Sequence, residues 1–129
     1  MSSFSSESGT LLAVDDEPEI RTIIFNTLTP LGYTVLLAKN GEMAYRLFHQ
    51  HQGRIHLLIT DMLMPAMNGL ELATKVHALS PETRILYLSE NYIVKGGFAE
   101  EPEVAFLPKP FTGAELVRKV REILRVFDR

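Results

Sequence analysis

Five short apolar runs recur along the chain, and their spacing is the feature that most limits how it can fold. Each run is four to six residues long, and most are rich in valine, isoleucine, leucine or aromatic residues. Continuous apolar runs of this length are typical of strands buried on both faces of a sheet. The predicted strands are Leu11–Val14, Tyr33–Ala38, His56–Thr60, Ile85–Ser89 and Val104–Leu107.

The segments between these runs mostly have helical periodicity. The first predicted helix carries apolar residues from Ile20 to Leu31 and ends at Gly32. The third begins at the N-cap residue Asn68, and Thr112 opens the last with the spacing of a capping box. Alternating strands and helices predict an α/β fold with a parallel sheet, right-handed crossovers and helices on both faces.

The fourth connection, residues 91–103, is the exception. It contains Gly96, Gly97 and Pro102, which interrupt helical periodicity. We therefore expect a short helix at best, in a segment that is irregular or mobile.

Size and composition exclude several classes of function. A chain of 129 residues fits one compact domain, and we expect it at residues 9–129, after a flexible leader at residues 1–8. The absence of cysteine excludes disulfides, thiolate catalysis and zinc–thiolate sites. A net charge of −3 gives no basic field, so we expect no direct nucleic-acid or membrane binding. With no apolar run long enough to span a bilayer and no signal-peptide pattern, the expected compartment is the cytoplasm.

The residues that can carry chemistry come directly after or at the ends of the predicted strands. Asp15 and Asp16 follow the first strand, and Asp61 follows the third. Ser89 ends the fourth strand, and Lys109 comes shortly after the last. Because the carboxyl ends of parallel strands meet at one edge of a sheet, we expect these side chains to lie together. Carboxylates at close range repel one another unless a hard cation is present, so the acids predict a Mg²⁺ site.

This set of groups suits phosphoryl transfer. The transferred group spreads negative charge over three equatorial oxygens. A metal ion, the Lys109 ammonium and the Ser89 hydroxyl can each take one of them. A carboxylate would be the nucleophile, and the remaining catalysis would be positioning and charge neutralisation.

Four segments of the chain resemble the receiver domains of bacterial response regulators. They are LLAVDDEP, LLITDMLMPAMNGLEL, ILYLS and VAFLPKPF, in this order along the chain. The resemblance covers residues 10–127, and the tail FLPKPFTGAELVRKVREIL is similar to receivers attached to hybrid histidine kinases. It implies an α/β, flavodoxin-like, doubly wound fold whose five-stranded parallel sheet has the order 2-1-3-4-5, here with a short or irregular fourth helix.

The resemblance also implies an acceptor and a metal site. Asp61 matches the phosphorylated aspartate of the family. Asp16 matches the direct Mg²⁺ ligand, and Asp15 matches the acid that reaches the ion through water. Leu63 matches the position whose backbone carbonyl is the third protein ligand.

Three further positions match residues that respond to the phosphoryl group. Lys109 matches the lysine that pairs with the acids and then with the phosphoryl group, and its bond to Pro110 would be cis. Ser89 matches the hydroxyl that moves to a phosphate oxygen. Phe106 matches the aromatic switch that turns inward when the hydroxyl moves.

The implied reaction is transfer from a phosphohistidine of a sensor histidine kinase or a histidine phosphotransfer protein, followed by hydrolysis of the acyl phosphate. The chain would be a signalling receiver and not an enzyme. The output would be a shift between two conformations that changes protein binding at the face formed by residues 91–103, the last strand and the last helix. The downstream protein partner is not predicted.

Two residues near the acceptor depart from the family's usual pattern. Glu90 follows Ser89 where the family usually has alanine or glycine, and an acid there would narrow access and repel a phosphoryl donor. Leu63 is apolar where a polar side chain often positions the attacking water. Together they predict slow spontaneous dephosphorylation.

Two alternatives remain open at this point. A phosphatase of the haloacid-dehalogenase type also uses an aspartyl phosphate and Mg²⁺, although its Asp-x-Asp spacing after the first strand is not met by Asp15, Asp16 and Glu17. A degenerate receiver acting only as a scaffold is the second alternative. It depends on Glu90 and on the weak helical pattern of residues 91–103.

Overall fold

The computed structural model describes residues 8–51, 54–90 and 104–125, which form an α/β domain. Strands and helices alternate along most of the chain. The strands are β1 (Thr10–Val14), β2 (Thr34–Ala38), β3 (Leu57–Asp61), β4 (Arg84–Ser89) and β5 (Val104–Pro108). The helices are α1 (Pro18–Leu28), α2 (Gly41–Gln50), α3 (Gly69–Leu79) and α4 (Gly113–Leu124), with a short 3₁₀ helix at Thr29–Leu31.

The five strands form one parallel sheet in the order β2-β1-β3-β4-β5. This confirms the predicted fold and strand order. Each predicted strand agrees with the observed one to within one residue at either end. The second strand lies on one side of β1, and the later strands, beginning with β3, lie on its other side. The carboxyl ends of β1 and β3 therefore lie at the topological switch point, where doubly wound folds have their site.

Side chains alternate along the central strands and build a separate core on each face of the sheet. Leu12, Leu58 and Tyr87 point to the face covered by α2 and α3. Leu11 and Leu57 point to the opposite face, covered by α1 and α4. With apolar cores on both faces, the sheet edge at the carboxyl ends of the strands is left for the charged residues.

Three of the described α-helices begin at side-chain caps, and the sequence predicts those of α3 and α4. Asn68 and Glu71 form a reciprocal capping box at α3, and Thr112 and Glu115 form another at α4. At α2 the side chain of Asn40 accepts a hydrogen bond from the backbone of Met43 at 2.8 Å. These caps fix the first turns of the helices that start next to the strand ends.

The first helix ends earlier than its apolar pattern predicts. Its α-helical part stops at Leu28, and Thr29–Leu31 continue as a 3₁₀ turn. Pro30 has no backbone N–H to donate, so the α-helical hydrogen-bond ladder cannot run through it. Gly32 then adopts a φ of 113° and ends the turn as predicted.

Two predictions fall on residues that the structure does not describe. The predicted leader at residues 1–8 lies outside the described residues except for Ser8, and the whole of the 91–103 connection lies outside them. Among the described residues, no helix is both long enough and apolar enough to cross a membrane.

Candidate functional site

The strand ends bring an acidic cluster and one lysine together at a single edge of the sheet. Asp61 is the last residue of β3 and pairs in register with Leu88 of β4. Asp15 follows β1 directly, and its backbone N–H donates to the carbonyl of Ala38 at 3.2 Å. The backbone N–H of Lys109 donates to the Ser89 carbonyl at 2.9 Å, which extends the β4–β5 ladder by one residue. Sheet hydrogen bonds therefore fix these residues against one another.

The Lys109 ammonium lies among three carboxylates. Its Nζ is 3.0 Å from Asp15 Oδ2, 3.4 Å from Asp61 Oδ2 and 3.5 Å from Glu17 Oε1. The Lys109 side chain is 6% exposed, Asp15 0%, Asp61 10% and Glu17 48%. Charged pairs that are withdrawn from water in this way interact more strongly than surface pairs.

Burial and neighbouring charge shift the pKa values of this cluster. Burial raises the pKa of Asp15, and the hydrogen bond from Glu17 and the contact with Lys109 only partly offset this. Burial and the charge of Asp15 raise the pKa of Asp61. For Lys109 burial lowers the pKa, but the hydrogen bond and charge of Asp15 and the charges of Asp61 and Glu17 outweigh it, so the pKa is raised. Burial is therefore the main cause that disfavours the charged forms of Asp15 and Asp61.

Three of the acids can share a cation. Oxygen atoms of Asp15, Asp16 and Asp61 all lie within 4.8 Å of one another. Asp15 already has a partner at each oxygen, because Oδ1 accepts from the Glu17 backbone at 2.9 Å and Oδ2 faces Lys109. Asp16 is exposed. This all-oxygen set fits a hard divalent ion such as Mg²⁺, with Asp16 and Asp61 better placed to contact it directly than Asp15.

The loop after β3 holds the Asp61 carboxylate at the sheet edge. The Leu63 backbone N–H points at Asp61 Oδ1 over 3.4 Å, and the N–H of Met62 donates to the Leu88 carbonyl at 3.0 Å. Ala66 has a φ of 70°, a conformation unusual for a residue with a side chain. The loop closes when the Gly69 N–H donates to the Met62 carbonyl at 2.9 Å.

Replacing Gly69 with alanine is expected to lower the unfolding free energy by about 1–3 kcal/mol, because a methyl group there would overlap the backbone carbonyl of Asp61. Gly113→Ala is the matched control, since Gly113 is also the first residue of its helix and the nearest atom to the added methyl group would be the Thr27 hydroxyl oxygen at 3.3 Å. We expect that control to lie within about 0.5 kcal/mol of wild type in urea unfolding. Equal effects of the two substitutions would contradict this reading of the loop.

The remaining predicted residues lie on the last two strands. Ser89 is buried at the end of β4, next to Lys109 along the sheet edge. Phe106 is half-buried on β5, and its ring stacks on the buried Tyr87 with centroids 5.4 Å apart. The Lys109–Pro110 bond is cis, as the resemblance implies. Leu63 is 78% exposed and projects its apolar side chain into solvent beside Asp61.

Two contacts of the site were not predicted from the sequence. The sequence gives Glu17 no role in the site, yet its carboxylate contacts the Lys109 ammonium. Arg21, one turn into α1, donates from its guanidinium to the Asp15 carbonyl at 2.7 Å. The signal for Glu17 was its place two residues after Asp15, whereas a contact between Arg21 and a backbone carbonyl leaves no mark in the sequence.

Comparison with known proteins decides the family. The sequence profile of the response regulator receiver domain matches residues 11–121. The chain belongs to this family. It is therefore a receiver domain, a signalling module, and domains of this kind are phosphorylated by histidine kinases and bind Mg²⁺ at an acidic cluster.

Individual relatives agree with this assignment. The receiver domain is 38% identical to a CheY chemotaxis homologue of Campylobacter jejuni, over 88% of this chain and 91% of that protein. It is 30% identical to the sensor kinase CckA of Brucella abortus, over 95% of this chain but 13% of that protein. The chain thus spans only a small part of some relatives and nearly all of others. The similarity to CckA is in line with the predicted likeness to receivers attached to histidine kinases.

A solved structure has the same fold. The receiver domain resembles the response regulator TrrA of Thermotoga maritima, in complex with Mg²⁺ and beryllofluoride, with a TM-score of 0.77 and 30% identity. That alignment covers 89% of this chain and 98% of TrrA. The fold and family also argue against the phosphatase alternative. Its nucleophile would be the first acid of the Asp-x-Asp pattern after β1, and Asp15 at that position is fully buried against Lys109.

Proposed function

We propose that Asp61 accepts a phosphoryl group from a phosphohistidine and that Lys109 neutralises the charge of the transferred group. The observation that carries the proposal is the buried Lys109 ammonium in contact with Asp61 and Asp15 at the sheet edge. In the reaction, a carboxylate oxygen of Asp61 attacks phosphorus while the bond from phosphorus to the donor imidazole breaks. The imidazole nitrogen then takes a proton from solvent.

The environment of the Asp61 side chain disfavours the charged form of its carboxyl group, and this favours its reaction as the acceptor. Burial and the charge of Asp15 raise the pKa of Asp61, so its carboxylate gains from any change that spreads or neutralises the charge. Asp61 is also accessible enough to react, with a side chain that is 10% exposed at the edge of the domain. The Leu63 N–H limits the orientations of the carboxylate.

Mg²⁺ is proposed to bind at the acids, directly through Asp16, Asp61 and the backbone carbonyl of Leu63, and through water to Asp15. The ion would supply positive charge to the phosphoryl oxygens. The support for this arrangement is the exposure of Asp16 and the two partners that already occupy Asp15.

The conformational output is proposed to start at Ser89 and Phe106. The Ser89 hydroxyl would move toward a phosphoryl oxygen on Asp61, the neighbouring strand end. The space left would be taken by Phe106, which is half-buried on the neighbouring strand β5. Its stacking partner Tyr87 is fully buried and gives the ring an apolar surface on which to slide.

The donor is proposed to be a sensor histidine kinase or a histidine phosphotransfer protein, which places the domain in the cytoplasm, where ATP supplies such donors. The test is phosphotransfer from a panel of ³²P-labelled histidine kinases and phosphotransfer domains, with Mg²⁺ or with EDTA. Label is expected on the receiver only with Mg²⁺ and from a subset of donors. No transfer from any donor, together with no labelling by the small donor phosphoramidate, would support the scaffold alternative.

The acyl phosphate is proposed to hydrolyse slowly, because the side chain beside it cannot hold a water molecule. Leu63→Asn is expected to speed hydrolysis about tenfold, since one added hydrogen bond contributes about 1.4 kcal/mol. Leu63→Met keeps an apolar side chain of similar size and should decay like wild type. Decay is followed by the loss of phosphorylated protein after the donor is removed. Equal rates for the two variants, or wild-type decay within seconds, would contradict the proposal.

A further inference from the structure

The Lys109 ammonium lies against three carboxylates. An ammonium has three N–H donors, and Lys109 contacts Asp15, Asp61 and Glu17 at 3.0, 3.4 and 3.5 Å. An incoming phosphoryl oxygen therefore meets an ammonium that already has three carboxylate neighbours. One of the three contacts has to be given up before Lys109 can bind the transferred group.

Glu17 is the partner that the structure leaves free to depart. The Asp15 carboxylate is fully buried and is also bound by the Glu17 backbone N–H, and Asp61 would stay next to Lys109 because it would carry the phosphoryl group that Lys109 binds. The Glu17 side chain is 48% exposed and has the longest of the three contacts. If Glu17 moved away from Lys109, the Glu17 carboxylate would return to water. If Asp15 lost its contact with Lys109, Asp15 would be a buried charge without a cationic partner.

The position of Glu17 in α1 also shows that its side chain is not needed for the helix. Glu17 is the N-cap residue of α1, but its side chain makes no capping hydrogen bond. Its backbone carbonyl accepts from Ile20 at 3.1 Å, and its N–H donates to Asp15, so the backbone is held from both sides. The backbone is thus fixed by the site, while the side chain spans from the helix start to Lys109 across the edge of the cluster.

We propose that Glu17 is a positioning residue, the displaceable third partner of Lys109, which holds the ammonium in the unphosphorylated domain and releases it to the phosphoryl oxygen. This inference rests on the proposed function of Asp61. Competition from Glu17 weakens the phosphorylated state and so sets how strong a donor must be to keep the domain phosphorylated. A shorter or uncharged residue at this position removes the competitor.

The test measures beryllofluoride, the probe for an aspartyl phosphate, at saturating Mg²⁺ on the full chain. Glu17→Gln is expected to bind it about 2- to 5-fold more tightly, the range for one partly exposed ion pair. Glu17→Asp keeps the charge but is too short to hold Lys109, and it should also bind more tightly. Glu19→Gln, an exposed acid on the first turn of α1, is the control and should match wild type.

Each result of this binding measurement supports or overturns the proposed displacement of Glu17. Tighter binding in both Glu17 variants, with a difference from wild type that shrinks at high salt, supports displacement. Tighter binding in Glu17→Gln alone would show a general effect of charge and overturn the inference, as would unchanged or weaker binding in both. If wild type itself binds no beryllofluoride, the proposed function of Asp61 fails first, and the inference fails with it.

Discussion

Asp61→Asn is expected to abolish phosphorylation and to weaken Mg²⁺-dependent beryllofluoride binding at least about 100-fold, a loss of about 2.7 kcal/mol. The amide has nearly the shape of the carboxylate, but its oxygen carries no charge to attack phosphorus. The other groups of the cluster, Asp15 and Lys109, remain in place. The beryllofluoride affinity is measured by a titration that is followed by the NMR signals of tyrosine or amide groups.

The same variant is expected to keep or gain stability, which separates loss of chemistry from loss of fold. Burial and Asp15 raise the folded-state pKa of Asp61 above its unfolded value. A carboxyl group shifted in this direction destabilises the fold as pH rises from the unfolded pKa through the folded one, and the full cost remains at neutral pH. Asparagine has no such charge, so the urea midpoint without Mg²⁺ should not fall.

Persistent labelling of Asp61→Asn would contradict the account, because another residue would then be the acceptor. Asp16→Asn is the matched control, since it removes one charge from the same cluster and leaves the acceptor. It is expected to raise the Mg²⁺ concentration needed for phosphorylation without preventing phosphorylation at high Mg²⁺.

Lys109→Gln is the second change with a large expected effect. Removing the ammonium leaves Asp15, which is fully buried, without its cationic partner at 3.0 Å. We expect a loss of about 3 kcal/mol in unfolding free energy without Mg²⁺, the lower end of the cost of breaking a buried pair. Phosphorylation should fall by at least about 100-fold, because the charge that neutralises the phosphoryl group is gone.

The effect of Mg²⁺ on the stability of Lys109→Gln is a second test of the role of the ammonium. Without the ammonium, the acids attract a divalent ion more strongly, so Mg²⁺ should stabilise the variant more than it stabilises wild type. The control is Lys119→Gln, which removes a partly exposed contact to Glu122 at 3.2 Å and should change stability by less than about 1 kcal/mol. A Lys109→Gln protein with wild-type stability in EDTA would contradict the proposed electrostatics. Chemical unfolding with EDTA and with Mg²⁺ measures both effects.

Much of the fold was predictable because burial on both faces leaves a strong pattern. The apolar runs are the strands that form the sheet, and their alternation with helices restricts the topology to very few arrangements. Caps such as Asn68 and Thr112 are local, so the sequence predicts them directly. The early end of α1 was missed because the apolar pattern continues past Pro30, whose missing N–H stops the α-helix but leaves the 3₁₀ turn possible.

The position of the site was also predictable from the sequence pattern, whereas the contacts between its side chains were not. Residues at strand ends meet at one edge whatever their side chains do, so the proximity of Asp15, Asp61 and Lys109 follows from topology. Which carboxylates contact the Lys109 ammonium depends on the length and conformation of each side chain at the sheet edge. The Glu17 contact with Lys109 and the left-handed conformation of Ala66 are of this kind.

The central claim is that Asp61 carries the phosphoryl group, and mapping the modified residue tests it most directly. The domain is phosphorylated with phosphoramidate and Mg²⁺, the acyl phosphate is trapped by borohydride reduction, and the peptides are sequenced by mass spectrometry. The account predicts one reduced site, at Asp61, and none when Mg²⁺ is removed by EDTA. A reduced site at Asp15, Asp16 or Glu17, or an unmodified chain under conditions that label a control receiver, would contradict it.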